Sequence, residues 1–323
     1  MPCRDNDPLY RLYAPRERLP VLILSIGEIL FDMLPEGRRL GGAAFNFAYH
    51  LHRIDGPVRF LSRIGKDPEG REILDFLDQR KFPVDDLQLD ADSPTGRVKV
   101  TLDERGTPRF DILPGVAYDF ITSTPSIERF VAEDCRLIYF GSLIQRTPQA
   151  ARTVRQILRR RSPRTKCLFD VNLRPGSFDA DCLDYSLQET NILKLNDEEL
   201  ATLAAIQAIS GNTATRVAAI MARYNIEVVA LTRAERGSCL FTADDRHDIQ
   251  PTRDIQVKDT VGAGDAFAAM LAIGYMRNWP AARILASANR LATKVCGIEG
   301  AIPGDPAFYD SFREALANGS DHG

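Results

Sequence analysis

A carboxylate beside a loop of small residues is the most chemically pointed feature of the chain: Lys258-Asp259-Thr260-Val261-Gly262-Ala263-Gly264-Asp265-Ala266-Phe267. Gly262, Ala263 and Gly264 let a bulky ligand approach the backbone. The apolar run Ala266–Met276 that follows predicts a helix buried on every side. A helix entered from such a loop offers free N–H groups at the positive end of its dipole, a site for phosphate or another anion. Asp265, in the first turn, repels such an anion. Either it complements the helix dipole, or it has a second task such as taking a proton from an attacking hydroxyl. The local residues leave both readings open.

Other polar groups sit where strands should end. Glu28, Leu30 and Asp32 share a face of an extended chain. Gly41-Gly42 opens a helix whose stripe Ala44, Phe47, Ala48 and Leu51 leaves Asn46 off the core, and the glycines either admit a ligand or form a flexible loop. Asp170, Asn172 and Arg174 fall on one face at the end of another strand, as a cleft or as a structural hydrogen-bond network. Asn196 and Glu199 can hold the water shell of a hard cation, or can pair as a capping box at a helix entrance. His50 and His52 are two apart on a helix, a poor metal pair, and read as surface residues. The basic run Arg159–Arg161 with Arg164 reads as a solvated helix end without interleaved aromatics.

The elements that must position these groups alternate. Val21–Ile26, Val58–Leu61, Leu137–Phe140, Cys167–Val171, Ile192–Leu195 and Val228–Leu231 predict buried strands, and helical patterns near Gln149–Arg160 and Thr213–Tyr224 separate several of them. Asp67-Pro68 marks a helix start burying Ile73, Leu74 and Leu77. Ser238–Thr242 and Asp254–Val257 read as edge strands. This rhythm predicts an α/β fold with a mostly parallel sheet covered on both faces. Arg97–Leu102 and Arg109–Leu113, flanking Asp103-Glu104-Arg105-Gly106, break the rhythm as an antiparallel hairpin, either a lid or an inert flap.

With 323 residues, 44% of them hydrophobic, the chain can bury a large core. Its formal charge of −3 gives no general attraction to nucleic acid or anionic membrane, and no apolar run is long enough for a membrane span. Residues 1–19 read as a loosely ordered extension rather than a secretory leader. Cys3, Cys135, Cys167, Cys182, Cys239 and Cys296 are scattered without a CxxC pair, which points to a cytoplasmic protein without a disulfide framework. No GxGxxG follows the first strand, which removes a Rossmann dehydrogenase.

Asp259-Thr260-Val261-Gly262-Ala263-Gly264-Asp265-Ala266-Phe267 resembles the C-terminal signature of the ribokinase-like, phosphofructokinase-B type carbohydrate kinases, most of all the fructokinases. Gly41-Gly42-Ala43-Ala44-Phe45-Asn46 resembles their N-terminal signature, and Gly27-Glu28 through Asp32 their first sugar-contacting strand. The resemblance spans Val21 to about Phe308. It implies a three-layer αβα kinase domain over residues 20–316 with a mostly parallel central sheet, and a small β-sheet lid from about 34–41 and 95–120. It implies ATP-dependent phosphorylation of a sugar hydroxyl with Mg²⁺, fructose to fructose 6-phosphate first. Ribokinase, 2-keto-3-deoxygluconate kinase and nucleoside kinase share the scaffold, as would a binding protein that has lost catalysis.

Carried over, Asp265 is the base and Gly262, Ala263 and Gly264 the anion hole. Asp32, Gly41, Gly42 and Asn46 contact the sugar, with Arg97 and Arg174 able to attract an acidic one. Asn196, Glu199, Thr232, Gly237, Gly264 and Asn289 serve the nucleotide. Asp259, Val261, Val295, Ile298, Gly300 and Gly304 match oxygens given to a monovalent cation, potassium in the ribokinases. The chain departs from the pattern in Thr232-Arg233-Ala234-Glu235-Arg236-Gly237, where Ala234 replaces a glycine and disfavours positive φ, and in Phe45 before Asn46. The flap end, Leu113 to Asp119, also departs and is where substrate choice is expected. Lid strands with one apolar face could pair two copies as a homodimer.

Overall fold

Short apolar runs become strands of one sheet because helices cover both of its faces. The computed structural model describes residues 22–34, 37–102, 108–250 and 256–317. The first half contains β1 (Ile23–Ile26), β2 (Leu30–Leu34), β3 (Gly37–Gly41), α1 (Ala43–Asp55), β4 (Val58–Gly65) and α2 (Pro68–Gln79). Then come β5 (Leu87–Asp90), β6 (Gly96–Leu102), β7 (Pro108–Ile112), α3 (Pro125–Glu133), β8 (Leu137–Gly141) and α4 (Pro148–Arg160). The second half begins with β9 (Lys166–Asp170), α5 (Ala180–Gln188), β10 (Ile192–Asn196), α6 (Asp197–Ile206), α7 (Thr213–Tyr224) and β11 (Val228–Thr232). It ends with β12 (Ser238–Thr242), β13 (Arg246–Ile249), α8 (Ala263–Met276), α9 (Ala281–Cys296) and α10 (Asp310–Ala317).

Nine strands form the main sheet in the order β13-β12-β11-β10-β9-β8-β1-β4-β5. Neighbours are parallel from β5 to β11, and β12 and β13 are antiparallel additions. Alternate side chains along each strand serve opposite faces. Ile23, Tyr139, Leu168 and Ile192 pack with α1, α2, α8, α9 and α10, whereas Leu24, Ile138, Phe169 and Leu193 pack with α3 to α7. This is the three-layer α/β architecture. From Asp265 to Gly274, α8 is buried on all sides, as its composition requires. Each large apolar side chain so enclosed contributes about 1.5–3 kcal/mol.

A second, four-stranded sheet has the order β3-β2-β6-β7. Gly27 to Ile29 carries the chain from β1 in the main sheet to β2 in the small one, and Asp32 pairs in register with Arg39 on one side and Val98 on the other. The turn expected at residues 103–106 lies outside the described residues, as does the extension at 1–19.

Four expectations change. Ser238–Thr242 is an interior strand, because β13 pairs along its outer side. Gln256 and Val257 are not in a strand, and 254–255 lie outside the described residues. Asn46 is buried, because α8 covers the α1 face the amphipathic count left free. His50 is buried too, with Nδ1 2.9 Å from the hydroxyl of Tyr309, a partner 259 residues away that the local pattern does not reveal. Burial pushes its pKa down to about 3, so the ring is neutral. Cys135, Cys167, Cys182, Cys239 and Cys296 are free thiols. Among the described residues no helix is long and apolar enough to cross a membrane.

Candidate active site

Gly141, Asp170, Asn196 and Thr232 are the last residues of β8, β9, β10 and β11, at the carboxyl end of the sheet where open α/β folds gather ligands. Asp170 is wholly buried, and its two oxygens lie 3.0 and 3.2 Å from the ammonium of Lys194 on the neighbouring strand. The Tyr139 hydroxyl donates to the same carboxylate at 3.2 Å. The stacked ring of Phe47 lies against Tyr139, which carries the network to α1.

The two glycine-led helices meet above it. Asn46 of α1 donates its amide to Asp265 Oδ2 at 2.8 Å, so two residues 219 apart in sequence form one buried pair. The other side-chain atom, Asn46 Oδ1, is buried without a hydrogen-bond partner. Such an acceptor calls for a donor. Gly262 caps α8 with φ +79°, and an added Cβ there would lie 2.2 Å from that of Ala301. The Ala263 N–H turns back to the Thr260 carbonyl at 3.3 Å, which removes it from the expected trio of donors in this conformation. Gly264 and Asp265 occupy the next helical positions, whose N–H groups have no acceptor one turn earlier. A Cβ at Gly264 would meet Lys194 Nζ at 2.9 Å, so that ammonium stands beside the loop.

Five acids, Glu28, Asp32, Asp170, Glu199 and Asp265, and two cations, Lys194 and Arg174, share this end of the sheet. Burial raises Asp265 to about 6, aided by the charge of Asp170 and opposed by Lys194, the Asn46 hydrogen bond and Arg174. Burial likewise raises Asp32 to about 6, against the pull of Arg174. Glu28, raised to about 7 chiefly by burial, accepts the Ala43 N–H at 2.8 Å through its carboxylate. Burial alone would depress Lys194, but the carboxylates of Asp170, Glu199 and Asp265 outweigh it and hold the ammonium above its usual range. The sequence pattern marks Asp170 and Glu28 only as members of polar strand faces, and it does not mark Lys194. A lysine between leucines in an apolar strand, two residues before Asn196, is the signal that was available.

The remaining candidates have definite neighbours. Asn196 and Glu199 form the capping box: Asn196 Oδ1 accepts the Glu199 N–H at 2.9 Å and Glu199 Oε2 accepts the Asn196 N–H at 2.8 Å. Glu199 Oε1 accepts the Leu173 N–H at 3.0 Å, which ties the Asp170–Arg174 segment to α6. Each Glu199 oxygen keeps a lone pair for a metal-bound water, and the residues fit that indirect role. No group of three or more acidic, histidine or cysteine side chains among the described residues could enclose a metal. Arg174 donates to the Leu173 carbonyl at 3.2 Å and exerts its field on Glu28, Asp32 and Asp265. Arg97 is held by Glu69 at 2.8 Å. Gly41 packs its Cα against Asp32, whose Oδ2 would lie 3.1 Å from an added Cβ, and Gly42 sits over the Glu28 carbonyl with φ +111°. Asn289 donates to Ser238 Oγ and to the Leu285 carbonyl. Ala234 adopts φ +48° without a glycine, so the Thr232–Gly237 turn keeps its left-handed backbone.

Three of the residues matched to a monovalent cation already have partners in this structure, and the acidic one holds a guanidinium. Asp259 accepts N–H groups from Val261 at 3.0 Å, Gly300 at 3.0 Å and the Arg39 guanidinium at 3.1 Å. The Val295 carbonyl takes the Ile298 N–H at 3.1 Å, and the Gly304 carbonyl takes Arg80 at 3.3 Å.

The sequence pattern of the pfkB family carbohydrate kinases matches residues 36–307. The chain is 29% identical over 297 residues to a fructokinase of Salmonella typhimurium, covering 86% of this chain and 95% of that protein. Its fold superposes on a Xylella fastidiosa fructokinase solved with bound ATP at a TM-score of 0.76 and 22% identity, covering 94% and 100% of the two chains. An aminoimidazole riboside kinase from Salmonella enterica matches at a TM-score of 0.74 and 23% identity, covering 91% and 99%. A pattern spanning most of the sequence, with its glycine-led helices converging on Asp265, makes this chain a member of the pfkB family of carbohydrate kinases, phosphotransferases acting on a sugar hydroxyl, close to the fructokinases.

Proposed function

We propose that the chain transfers the γ-phosphoryl group of ATP to fructose, giving fructose 6-phosphate, with Asp265 as the general base. The observation that carries this reading is a buried carboxylate, raised to about 6 and oriented by Asn46, in the first turn of a helix whose entrance has no side-chain cap. A base near that pKa is ionised at neutral pH, yet basic enough to accept a hydroxyl proton as the bond to phosphorus forms. Asn46 Oδ1, lacking a partner, and Asp32 orient the sugar. The N–H groups at the start of α8, with Lys194 beside them, face the charge that spreads over the transferring oxygens. Mg²⁺ carried on the nucleotide phosphates adds to that charge balance, with Glu199 and Asn196 holding its water shell. The Thr232–Gly237 turn and Asn289 line the nucleotide side.

The small sheet, which adds β2 (Leu30–Leu34) to the expected lid of about 34–41 and 95–120, serves as a lid that excludes water over a body of residues 20–316. A homodimer through lid strands and a cytoplasmic setting belong to the same proposal. Glu28, Asp32 and Asp265 outnumber Arg174 and Lys194 at the site, and Arg97 is already paired with Glu69, which favours a neutral sugar over a sugar acid. The test is ADP release across fructose, ribose, 2-keto-3-deoxygluconate and nucleosides, for wild type and Asp265→Asn side by side. Turnover on fructose above the other acceptors, lowered by about 10²–10⁴ in the variant, is expected. Higher kcat/KM on a nucleoside or sugar acid overturns fructose, and full turnover in the variant overturns the base.

A further inference from the structure

Arg39 lies in β3 of the small sheet, directly opposite Asp32 in the β2 register. Its guanidinium reaches out of that sheet to Asp259, 220 residues later, at 3.1 Å, and to Glu299 at 3.4 Å. Its methylene stem passes over Gly300, where an added Cβ would meet Arg39 Cδ at 3.5 Å. Asp259 is also the brace of the loop that enters α8. One oxygen accepts the Val261 N–H, and the other accepts the Gly300 N–H together with Arg39. The loop that sets Gly262 and Gly264 therefore has its one bracing carboxylate neutralised by a fixed positive charge from the opposite sheet.

We infer that the Arg39 guanidinium is the built-in cation of the Asp259–Gly300 loops, taking the place of a bound potassium ion and tying the small sheet to the entrance of α8. A monovalent cation and a guanidinium carry the same charge, and Arg39 already supplies it to Asp259 Oδ2. Arg39 has the advantage of being covalently attached, so its effective concentration does not depend on the medium. It is a positioning residue: it acts through Asp259 on the donors beside Asp265. The inference rests on the phosphotransfer reading for its activity arm alone, since the stability arm below holds whatever the acceptor.

The experiment compares wild type, Arg39→Ala and Arg39→Lys in potassium chloride and in choline chloride at equal ionic strength. Melting temperature and kcat/KM are both measured. Wild type is expected to show the same melting temperature and kcat/KM in the two salts. Arg39→Ala should lose roughly tenfold in kcat/KM in choline, the scale of one charged hydrogen bond, and recover most of it in potassium with a potassium-specific rise in melting temperature. Arg39→Lys should stay indifferent to the ion. A potassium-specific rise in wild-type melting temperature or activity overturns the inference, even if Arg39→Ala fails to fold. Arg39→Ala that remains as indifferent as wild type overturns it as well. An inactive but folded wild type with an ion-independent melting temperature counts against the acceptor and leaves the clasp supported.

Discussion

Two helices of this molecule begin at glycines with positive φ, pack against each other and deliver one residue each to the same buried hydrogen bond, yet their entrances are finished differently. At α1 the protein supplies its own acceptors: the Glu28 carboxylate takes the Ala43 N–H at 2.8 Å, and the Glu28 carbonyl takes that of Phe45 at 3.3 Å. At α8 the Ala263 N–H is turned back to Thr260, and the acid of the first turn, Asp265, is held by Asn46 instead of capping the backbone. Six other helices, α2 to α7, carry a conventional side-chain cap from Asp67, Thr124, Thr147, Asp179, Asn196 or Asn212. The difference separates structure from chemistry. An internally sealed entrance fixes geometry, and an entrance left to an external anion can stabilise charge that exists only during a reaction.

The largest test of this division is Asp265→Asn. The amide keeps an acceptor for Asn46 and loses the proposed base, so kcat should fall by about 10²–10⁴ with little change in the sugar KM. In the wild type, kcat/KM should rise with pH through about 6, because the carboxyl must lose its proton to act. A variant with wild-type turnover, or a profile flat across that range, would place the base elsewhere.

Glu28→Gln probes the sealed entrance. The folded Glu28 titrates at about 7 against an ordinary 4.5, because burial penalises its charged form. A raised carboxyl pKa means that the folded state holds the proton more tightly than the unfolded chain. Its stabilising effect is complete below about 4.5 and fades as pH rises through about 7. Glutamine retains a neutral acceptor for the Ala43 N–H and removes that titration. The variant should match wild type near pH 4.5 and gain on it by on the order of 1–3 kcal/mol by pH 8, read as denaturant midpoints. An unchanged pH slope would mean that Glu28 has little part in it.

At the open entrance, Gly264→Ala replaces a helical glycine whose only close neighbour is the end of a flexible side chain, Lys194 Nζ at 2.9 Å. Helix propensity favours alanine by about 1 kcal/mol, so melting temperature should hold or rise. Displacing the ammonium from beside the anion donors should nevertheless lower kcat roughly tenfold, one hydrogen bond's worth of transition-state binding. A parallel fall in stability and rate would make Lys194 a structural residue and nothing more.

Much of this was legible in the sequence because it is local. Apolar runs of four to six residues between turn residues located seven of the nine strands of the main sheet, missing the more polar β5 and β13, and Asp67-Pro68 marked its helix start to the residue. The GAGD loop and the Asn196/Glu199 capping box were readable as short-range patterns, with both partners within a turn. What escaped depends on pairs far apart in sequence. The amphipathic stripe of α1 left Asn46 outside the core, since nothing nearby announces that α8 will close over that face. His50 finds Tyr309, Arg39 finds Asp259, and Lys194 finds Asp170 only once the chain is folded. Periodicity reports one buried face, and it has no term for a second.

Ala234 separates the two jobs a glycine can have at such entrances, and carries the smallest expected effect. Its φ of +48° is left-handed, a conformation that costs an L residue about 1 kcal/mol. Gly262, at φ +79°, adds a second constraint, because a Cβ there would lie 2.2 Å from that of Ala301 and the loop could not close. Ala234→Gly should therefore measure the dihedral contribution alone. It relieves left-handed strain and loosens the unfolded chain, two effects of opposite sign, so stability should change by less than about 1 kcal/mol. Gly262→Ala pays the same dihedral cost plus the steric one, and should destabilise by about 2–4 kcal/mol when strain and overpacking are taken together. Equal effects at the two positions, measured by chemical denaturation, would mean that the α8 entrance needs glycine only for its backbone angle. A gap of the expected size assigns the glycine to the close contact between the Gly262 and Ala301 loops, at the residue that caps α8 just before Asp265.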